Sequence, residues 1–364
     1  MNTNQLFSLI KIKFLLHSFV MLCCINTLNS QNNVVIEHIK KEQKINLFIE
    51  GELFTSYHYS DTLPKPILFP IISKKGAVIT RGYPISPHAN ERIDHPHHTG
   101  CWFNFGDVNG LDFWNNSYAI PENKKDKYGK IIQDKIIKIE SGKDTGLLEV
   151  EMSWVNNTGK AILKEHTIFK FSCSGSTRII DRITTLTAVN SDVIFNDNKE
   201  GLLGLRVARE FESPADKPIL LTGKNGKPLK GPIINNQGVN GYFMGSNGLE
   251  GKQVWGTQNT WVSLSAFAGG DSITIAVFDH PDNPGYPAFW HARDYGLFSI
   301  NNFGQQGFNK SLEPREFHLP KDSSFTFKHR IIIKSGGFFT REQLEEERKC
   351  FENDCICQKL IYFF

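Results

Sequence analysis

Apolar residues recur at every second position over several runs of this chain, and that periodicity constrains the fold more than any other feature of the sequence. Leu148, Val150, Met152 and Trp154 alternate with Glu149, Glu151 and Ser153. Phe325, Phe327, His329, Ile331 and Ile333 alternate with Thr326, Lys328 and Arg330 in the same way. Extended backbone points successive side chains to opposite faces, so each run reads as a strand with one buried and one solvated face. Ala161–Ser172 and Arg178–Val189 face each other across Ser174-Gly175-Ser176 as a long hairpin, and Lys44–Ile49 and Leu53–Tyr59 flank Glu50-Gly51-Glu52 as a shorter one. Leu68–Ile72 and Ile273–Phe278 add two apolar segments. A content of 28 Phe, 9 Tyr and 6 Trp beside 30 Gly and 16 Pro suits β structure with many turns. The economical expectation is all-β: one large antiparallel β-sandwich domain over residues 31–338.

The two ends read differently. Thr340 and Gln343 form a capping-box pattern, and Glu342, Glu345, Glu346 and Glu347 followed by Arg348 and Lys349 suit a helix dipole, so 339–364 is expected to be a short C-terminal helix and tail. Lys224–Gly251 holds seven glycines and reads as a long hairpin loop or flap. At the other end, Lys11 and Lys13 precede an apolar run from Phe14 to Ile25, the pattern of an export signal over residues 1–30. The expected destination is periplasmic or extracellular. His17 and Ser18 interrupt that run, and no later segment approaches ~18 uninterrupted apolar residues, so no transmembrane segment is expected in the mature chain. Residues 1–30 carry only Lys11 and Lys13, so the remainder has a formal charge of +1 where the whole has +3. A nearly neutral protein offers no electrostatic reason to expect nucleic acid as a partner. Five cysteines follow the signal, an odd number without a CxxC pair, which is neither a disulfide framework nor a zinc ribbon.

Chemistry concentrates in Arg81–Asn116, where His88, His95, His97, His98, Trp102, Trp114, Asp94, Asp107, Asn109 and Asp112 crowd a backbone shaped by Gly and Pro. Pro96 favours an extended His95, which would put His95 and His97 on one face and His98 on the other. Two imidazoles on one face can share a divalent metal, zinc or calcium, or act as base and orienting partner; no cofactor is required by the pattern. The plainer alternative has one ring in the core, one capping a turn and one exposed. Trp102 and Trp114 are flat apolar surfaces beside Asp107 and Asn109, a combination that suits a sugar ring, although the Asp and Asn side chains also suit a simple turn.

A second cluster lies far along the chain in Phe289–Gly304. His291, Arg293 and Tyr295 share the i, i+2, i+4 spacing of one strand face, so a base, a cation and a phenol can project together. Arg293 can grip a uronate carboxylate or stabilise an enolate, or it can pair with Asp294 or Asp279 and merely knit the sheet. Glu200 and Arg206 lie among glycines in a third patch.

The blocks RGYP, DHPHHTGCWFNFGDVNGLDFW, EGLLGLRVA and FDHPDNPGYPAFWHARDYGLFSINNFG together resemble the DUF6807 family over roughly residues 45–335. Thr99, Cys101 and Asn301-Asn302 stand where members usually carry Arg, Leu and Asn-Pro. The family's inherited label of a methane oxygenase is incompatible with a chain lacking several membrane spans. The resemblance implies a galactose-mutarotase-like supersandwich, a fold shared by aldose epimerases, glycoside hydrolases and polysaccharide lyases, and a carbohydrate ligand or substrate. The expectation is a secreted lyase or hydrolase on a sugar, oligosaccharide, uronate or keto-sugar. His97, His98, His291, Arg293 and Tyr295 would be catalytic, and Trp102, Asp107, Asn109, Trp114, Glu200, Arg206 and Asn301 would bind the sugar. His95 and His97 would be the ligands of any metal. The competing expectation is a non-catalytic carbohydrate-binding protein using the same residues.

Overall fold

The structure, a computed structural model, describes residues 33–353. The expected export signal and the tail with Cys355 and Cys357 lie outside the described residues. In chain order the strands are β1 (Val34–Ile39), β2 (Lys44–Ile49), β3 (Glu52–His58), β4 (Ile67–Ile71), β5 (Cys101–Phe105), β6 (Lys130–Glu140), β7 (Thr145–Val155), β8 (Ala161–Ser174) and β9 (Thr177–Ala188). They continue as β10 (Val193–Phe195), β11 (Gly201–Arg206), β12 (Tyr242–Gly245), β13 (Trp261–Ala268), β14 (Asp271–Asp279), β15 (Phe289–Ala292), β16 (Leu297–Asn301), β17 (Phe317–Leu319) and β18 (Ser324–Lys334), followed by helix α1 (Arg341–Glu352).

Two eight-stranded sheets form the body, in the orders β1-β2-β3-β4-β5-β11-β16-β15 and β12-β13-β14-β18-β9-β8-β7-β6. Neighbouring strands pair antiparallel, as in β8–β9 and β5–β11. The protein is therefore the large antiparallel β-sandwich with a short C-terminal helix that the periodicity indicates. Alternate residues of the two sheets meet in one core: Phe103, Phe105, Leu205, Phe298 and Ile300 from the first pack with Val150, Trp154, Phe169, Ile275 and Phe327 from the second. Each fully buried side chain of this size contributes roughly 1.5–3 kcal/mol.

Helix α1 covers the outer face of the second sheet, burying Leu344 and Phe351 against Trp261, Phe278 and Ile332. Its start is fixed by the expected capping box, in which the Thr340 side chain accepts from the Gln343 N–H and the Gln343 side chain accepts from the Thr340 N–H. No described helix is long and apolar enough to cross a membrane. Within the expected flap, Tyr242–Gly245 is instead an edge strand paired with β13, because Phe243 has a core position to fill. Cys350, in α1, is disulfide-bonded, whereas Cys101 and Cys173 are free thiols.

The first sheet is covered on its outer face by long loops rather than a helix. Strands β5, β11, β15 and β16 are consequently buried along their whole length. In β5, Cys101, Phe103 and Phe105 enter the core, while Trp102 belongs to a separate cluster with Trp114 and Leu297. Gly204 is paired with Trp102 across β5 and β11, and a Cβ there would come within 2.5 Å of the indole, so glycine is what lets Trp102 lie across β11. On this platform the loops place the candidate site.

Candidate active site

His95-Pro96-His97-His98 is a turn, not an extended segment. The His98 N–H donates to the His95 carbonyl at 2.9 Å, and His95 has φ +42°. Proline at the second position of the turn supplies a favoured φ, and this local chemistry overrides the extended preference of the residue before proline. The expected separation of His98 from His95 and His97 is therefore wrong. All three rings gather: His95 stacks on His98 with centroids 4.9 Å apart, and His97 meets His98 edge-on at 4.3 Å. The stack runs on in both directions, from His95 to Tyr295 at 4.8 Å and from His98 to Trp102 at 5.3 Å.

Two buried arginines pin this turn. Arg81 donates to the carbonyls of Arg92, Asp94, His95 and His98 and to Asp94 Oδ1 at 2.7–3.2 Å. Arg206 donates to Asp94 Oδ1 at 2.7 Å, and its Nη1 lies 3.3 Å from His98 Nδ1. Burial pushes the Asp94 carboxyl up, but Arg206, the His95 contact and Arg81 outweigh it and hold the acid well below the ordinary carboxylate range. From the other side Lys65, itself 1% exposed, donates to the His97 carbonyl at 2.9 Å and lies over Trp102. Burial brings the Lys65 ammonium down to about 7 despite the help of Asp112.

His291 lies on β15, and Arg293 and Tyr295 lie in the turn to β16, closed by the Arg293 N–H to the Leu297 carbonyl at 2.7 Å. The three share a site through a strand end and a turn, where the spacing suggests a single strand face. They line one cavity of about 370 Å³ together with His95, His97, His98, Asn115, Lys199 and Glu200. Residues nearly two hundred positions apart thus converge because β5, β11, β16 and β15 are neighbours in the sheet.

Inside the cavity the charges are uneven. Glu200 Oε1 pairs with Lys199 at 2.5 Å, and its Oε2 lies 3.6 Å from His291 Nδ1, an atom with no hydrogen-bond partner. Arg293 has no carboxylate within ion-pair distance among the described residues; its guanidinium sits over Trp255 at 5.5 Å and Tyr295 at 5.4 Å. Asp294 pairs with Lys252 instead, and Asp279 is held by Asn283, Asn302 and the Ala288 N–H. Burial, then Lys199 and Arg293, push His291 down to about 3, and burial with Lys65 and His95 pushes His97 down to about 2. His98 is held well below the usual range by burial and by His97 and Arg206. Burial pushes the Tyr295 phenol up to about 12 against the pull of Arg206 and Arg293, so it keeps its proton at neutral pH.

Several expected sugar contacts fall elsewhere. Trp102 and Trp114 are fully buried beneath the histidines, so they are a floor under the ring stack rather than platforms open to a ligand. Asp107 accepts from the Gly110 N–H and the Asn196 side chain, and Asn109 bonds the Asp192 carbonyl and the Ile194 N–H, so the turn reading of both holds. Asn301 is spent on the Asn198 carbonyl and the Phe303 and Gly304 N–H groups. Arg206 backs the cavity without lining it. As for a metal at His95 and His97, among the described residues no group of three or more His, Cys, Asp or Glu side chains is disposed to hold one. The sequence reading missed Arg81, Lys65, Lys199 and Asn115. Arg81 heads the histidine stretch and Lys199 adjoins Glu200, but burial and pairing decide their roles, and neither is visible in a single sequence.

The chain belongs to the DUF6807 family, a family of unknown function, whose model matches residues 44–349. No curated protein matches it in sequence. Among solved structures it is similar to the galactosidase domain of an alpha-galactosidase–sucrose kinase, at 9% identity and a TM-score of 0.38, over 83% of this chain and 42% of that one. It is also similar to the alpha-galactosidase of Lactobacillus brevis, at 11% identity and 0.38, over 89% and 42%. A third is the galactose 1-epimerase of Lactobacillus acidophilus NCFM, at 7% identity and 0.35, over 84% and 99%. The chain thus spans 42% of the length of each of the first two.

Proposed function

We propose that the protein is an exported carbohydrate-active enzyme that binds an acidic or oxidised sugar in the His97–His291 cavity and acts on it as a lyase. The observation that carries this reading is Arg293, a guanidinium without a carboxylate partner in a cavity that also holds neutral imidazoles and a protonated phenol. A guanidinium so placed takes a carboxylate in a bidentate fork and stabilises the enolate formed when the adjacent carbon loses its proton. His291 takes that proton, and Glu200 beside its Nδ1 stabilises the imidazolium. The electron pair forms a C=C bond as the C–O bond to the leaving sugar breaks, and Tyr295 gives its proton to the leaving oxygen. Hydrolysis by paired carboxylates fits less well, because Glu200 is the one carboxylate among the residues that line the cavity.

The reading uses no metal. A panel of uronates, keto-sugars and neutral oligosaccharides, each with and without chelator, tests it: turnover of an acidic sugar that survives chelation supports it, and turnover of neutral sugars alone contradicts it. Binding without catalysis is the second reading, and the depressed His97 and His291 values favour it, since imidazoles that do not titrate near pH 7 weaken the acid–base case. Affinity that stays flat from about pH 5 to 8 does not separate the two, since neither imidazole titrates there. Turnover does.

A further inference from the structure

A second cavity, of about 720 Å³, has no lining residue in common with the first, but residues adjacent in sequence line the two. On one side Asn115 lines the smaller cavity while Asn116, Ser117 and Tyr118, the next residues, line the larger. On the other side Pro64 lines the larger cavity while its neighbour Lys65 reaches under the smaller to the His97 carbonyl. The two cavities therefore flank one strip of chain. Tyr118 is 70% exposed, and its hydroxyl is tied to that of Tyr83 at 2.9 Å, so an aromatic face is held out at the rim rather than folded away. Tyr83 in turn lies under the Arg81 guanidinium that pins the histidine turn. The rest of the lining mixes amides and hydroxyls, such as Asn123, Asn157 and Thr62, with apolar Ile132 and Val155 and with two acids and two bases, of which Glu122 and Lys125 pair at 2.5 Å.

Amides and hydroxyls around an exposed phenol ring, with acids and bases equal in number, match the hydroxyl rim and C–H face of sugar units. We infer that this second cavity is a subsite for the following units of a sugar chain, so that the substrate is an oligosaccharide rather than a single sugar. Its reacting unit occupies the Arg293 cavity and its continuation lies against Tyr118. The inference rests on the acidic-sugar reading above.

The test is calorimetric titration of the signal-free protein with oligogalacturonates and with cellooligosaccharides of one to five units. The expected result is affinity for the acidic series that rises about tenfold or more between one unit and three. Tyr118→Ala, at an exposed position where folding is not at stake, should abolish that rise and leave the single unit unchanged, whereas Arg293→Ala should weaken every length alike. Single-unit binding with no gain on lengthening, or a gain that Tyr118→Ala and Asn157→Ala leave intact, overturns the subsite and spares the acidic-sugar reading. Binding of cellooligosaccharides with no binding of oligogalacturonates overturns the acidic-sugar reading, and a length-dependent gain in that series that Tyr118→Ala abolishes still supports the subsite. No binding of either series at any length overturns both.

Discussion

Arg293 is half-buried with its guanidinium over Trp255 and Tyr295, so removing it breaks no ion pair among the described residues. Arg293→Ala should therefore leave Tm within about 1–2 °C of the parent while weakening binding of an acidic sugar roughly ten- to hundredfold, the worth of a charge-assisted hydrogen-bonded pair. A large fall in Tm with unchanged affinity would make Arg293 a structural residue. Gly204 makes the opposite prediction. A methyl group at that position meets Trp102 Cζ2 at 2.5 Å, and the indole is wedged under His98 with nowhere to retreat. Gly204→Ala should cost about 1–3 kcal/mol of stability, read by chemical denaturation, and should disturb the ring stack above it.

At the scale of elements, the strands with one wet face were legible from sequence, as were the apolar runs of β4 and β14, whereas the four buried strands that carry the site were not. Strands β7, β8, β9 and β18 alternate because their outer faces are partly solvated, and the sequence reading places them to within two or three residues. Strands β5, β11, β15 and β16 carry the site under loops, so no polar period marks them. The candidate site was legible in the same uneven way. Its histidines, Glu200, Arg293 and Tyr295 stand out by residue type, but the histidine turn depends on long-range bonds from Arg81 and Arg206 that no local pattern reports. Arg81→Met removes five of those bonds at once and leaves carbonyls buried without donors. It should cost about 3 kcal/mol or more and abolish sugar binding, and the His98 amide should exchange its hydrogen much faster than in the parent. Unchanged exchange at His98 would show that the turn stands without Arg81.

For the whole molecule, three histidines are buried as neutral rings, His98 and His291 in the candidate site and His329 against Phe103 and Phe327. His291 is held at about 3 by burial with Lys199 and Arg293, His329 at about 3 by burial with Arg182 and His280, and His98 well below its ordinary value by burial with its cationic neighbours. A folded value below the unfolded one of about 6.5 gives stability that is fully present above pH 6.5 and is lost as pH falls towards 3. Asp279 works in the opposite sense: burial raises it to about 6, so its contribution is present below about pH 4 and lost as pH rises through 6. Three groups outweigh one, and Tm should fall by about 10 °C or more between pH 7 and pH 4. A Tm that is flat or rises over that range would place water against these rings. The same architecture that buries them brings His97 and His291 into one cavity, and a shared reaction requires that convergence. The most direct test is a double-mutant cycle on turnover of an acidic oligosaccharide with His97→Ala, His291→Ala and the pair. If one site uses both, His291→Ala alone should lower kcat/KM roughly 10²-fold or more, and the double variant should be little worse than that single one. Losses that simply multiply, or single variants that retain full turnover, would mean that the two clusters share a cavity without sharing a function.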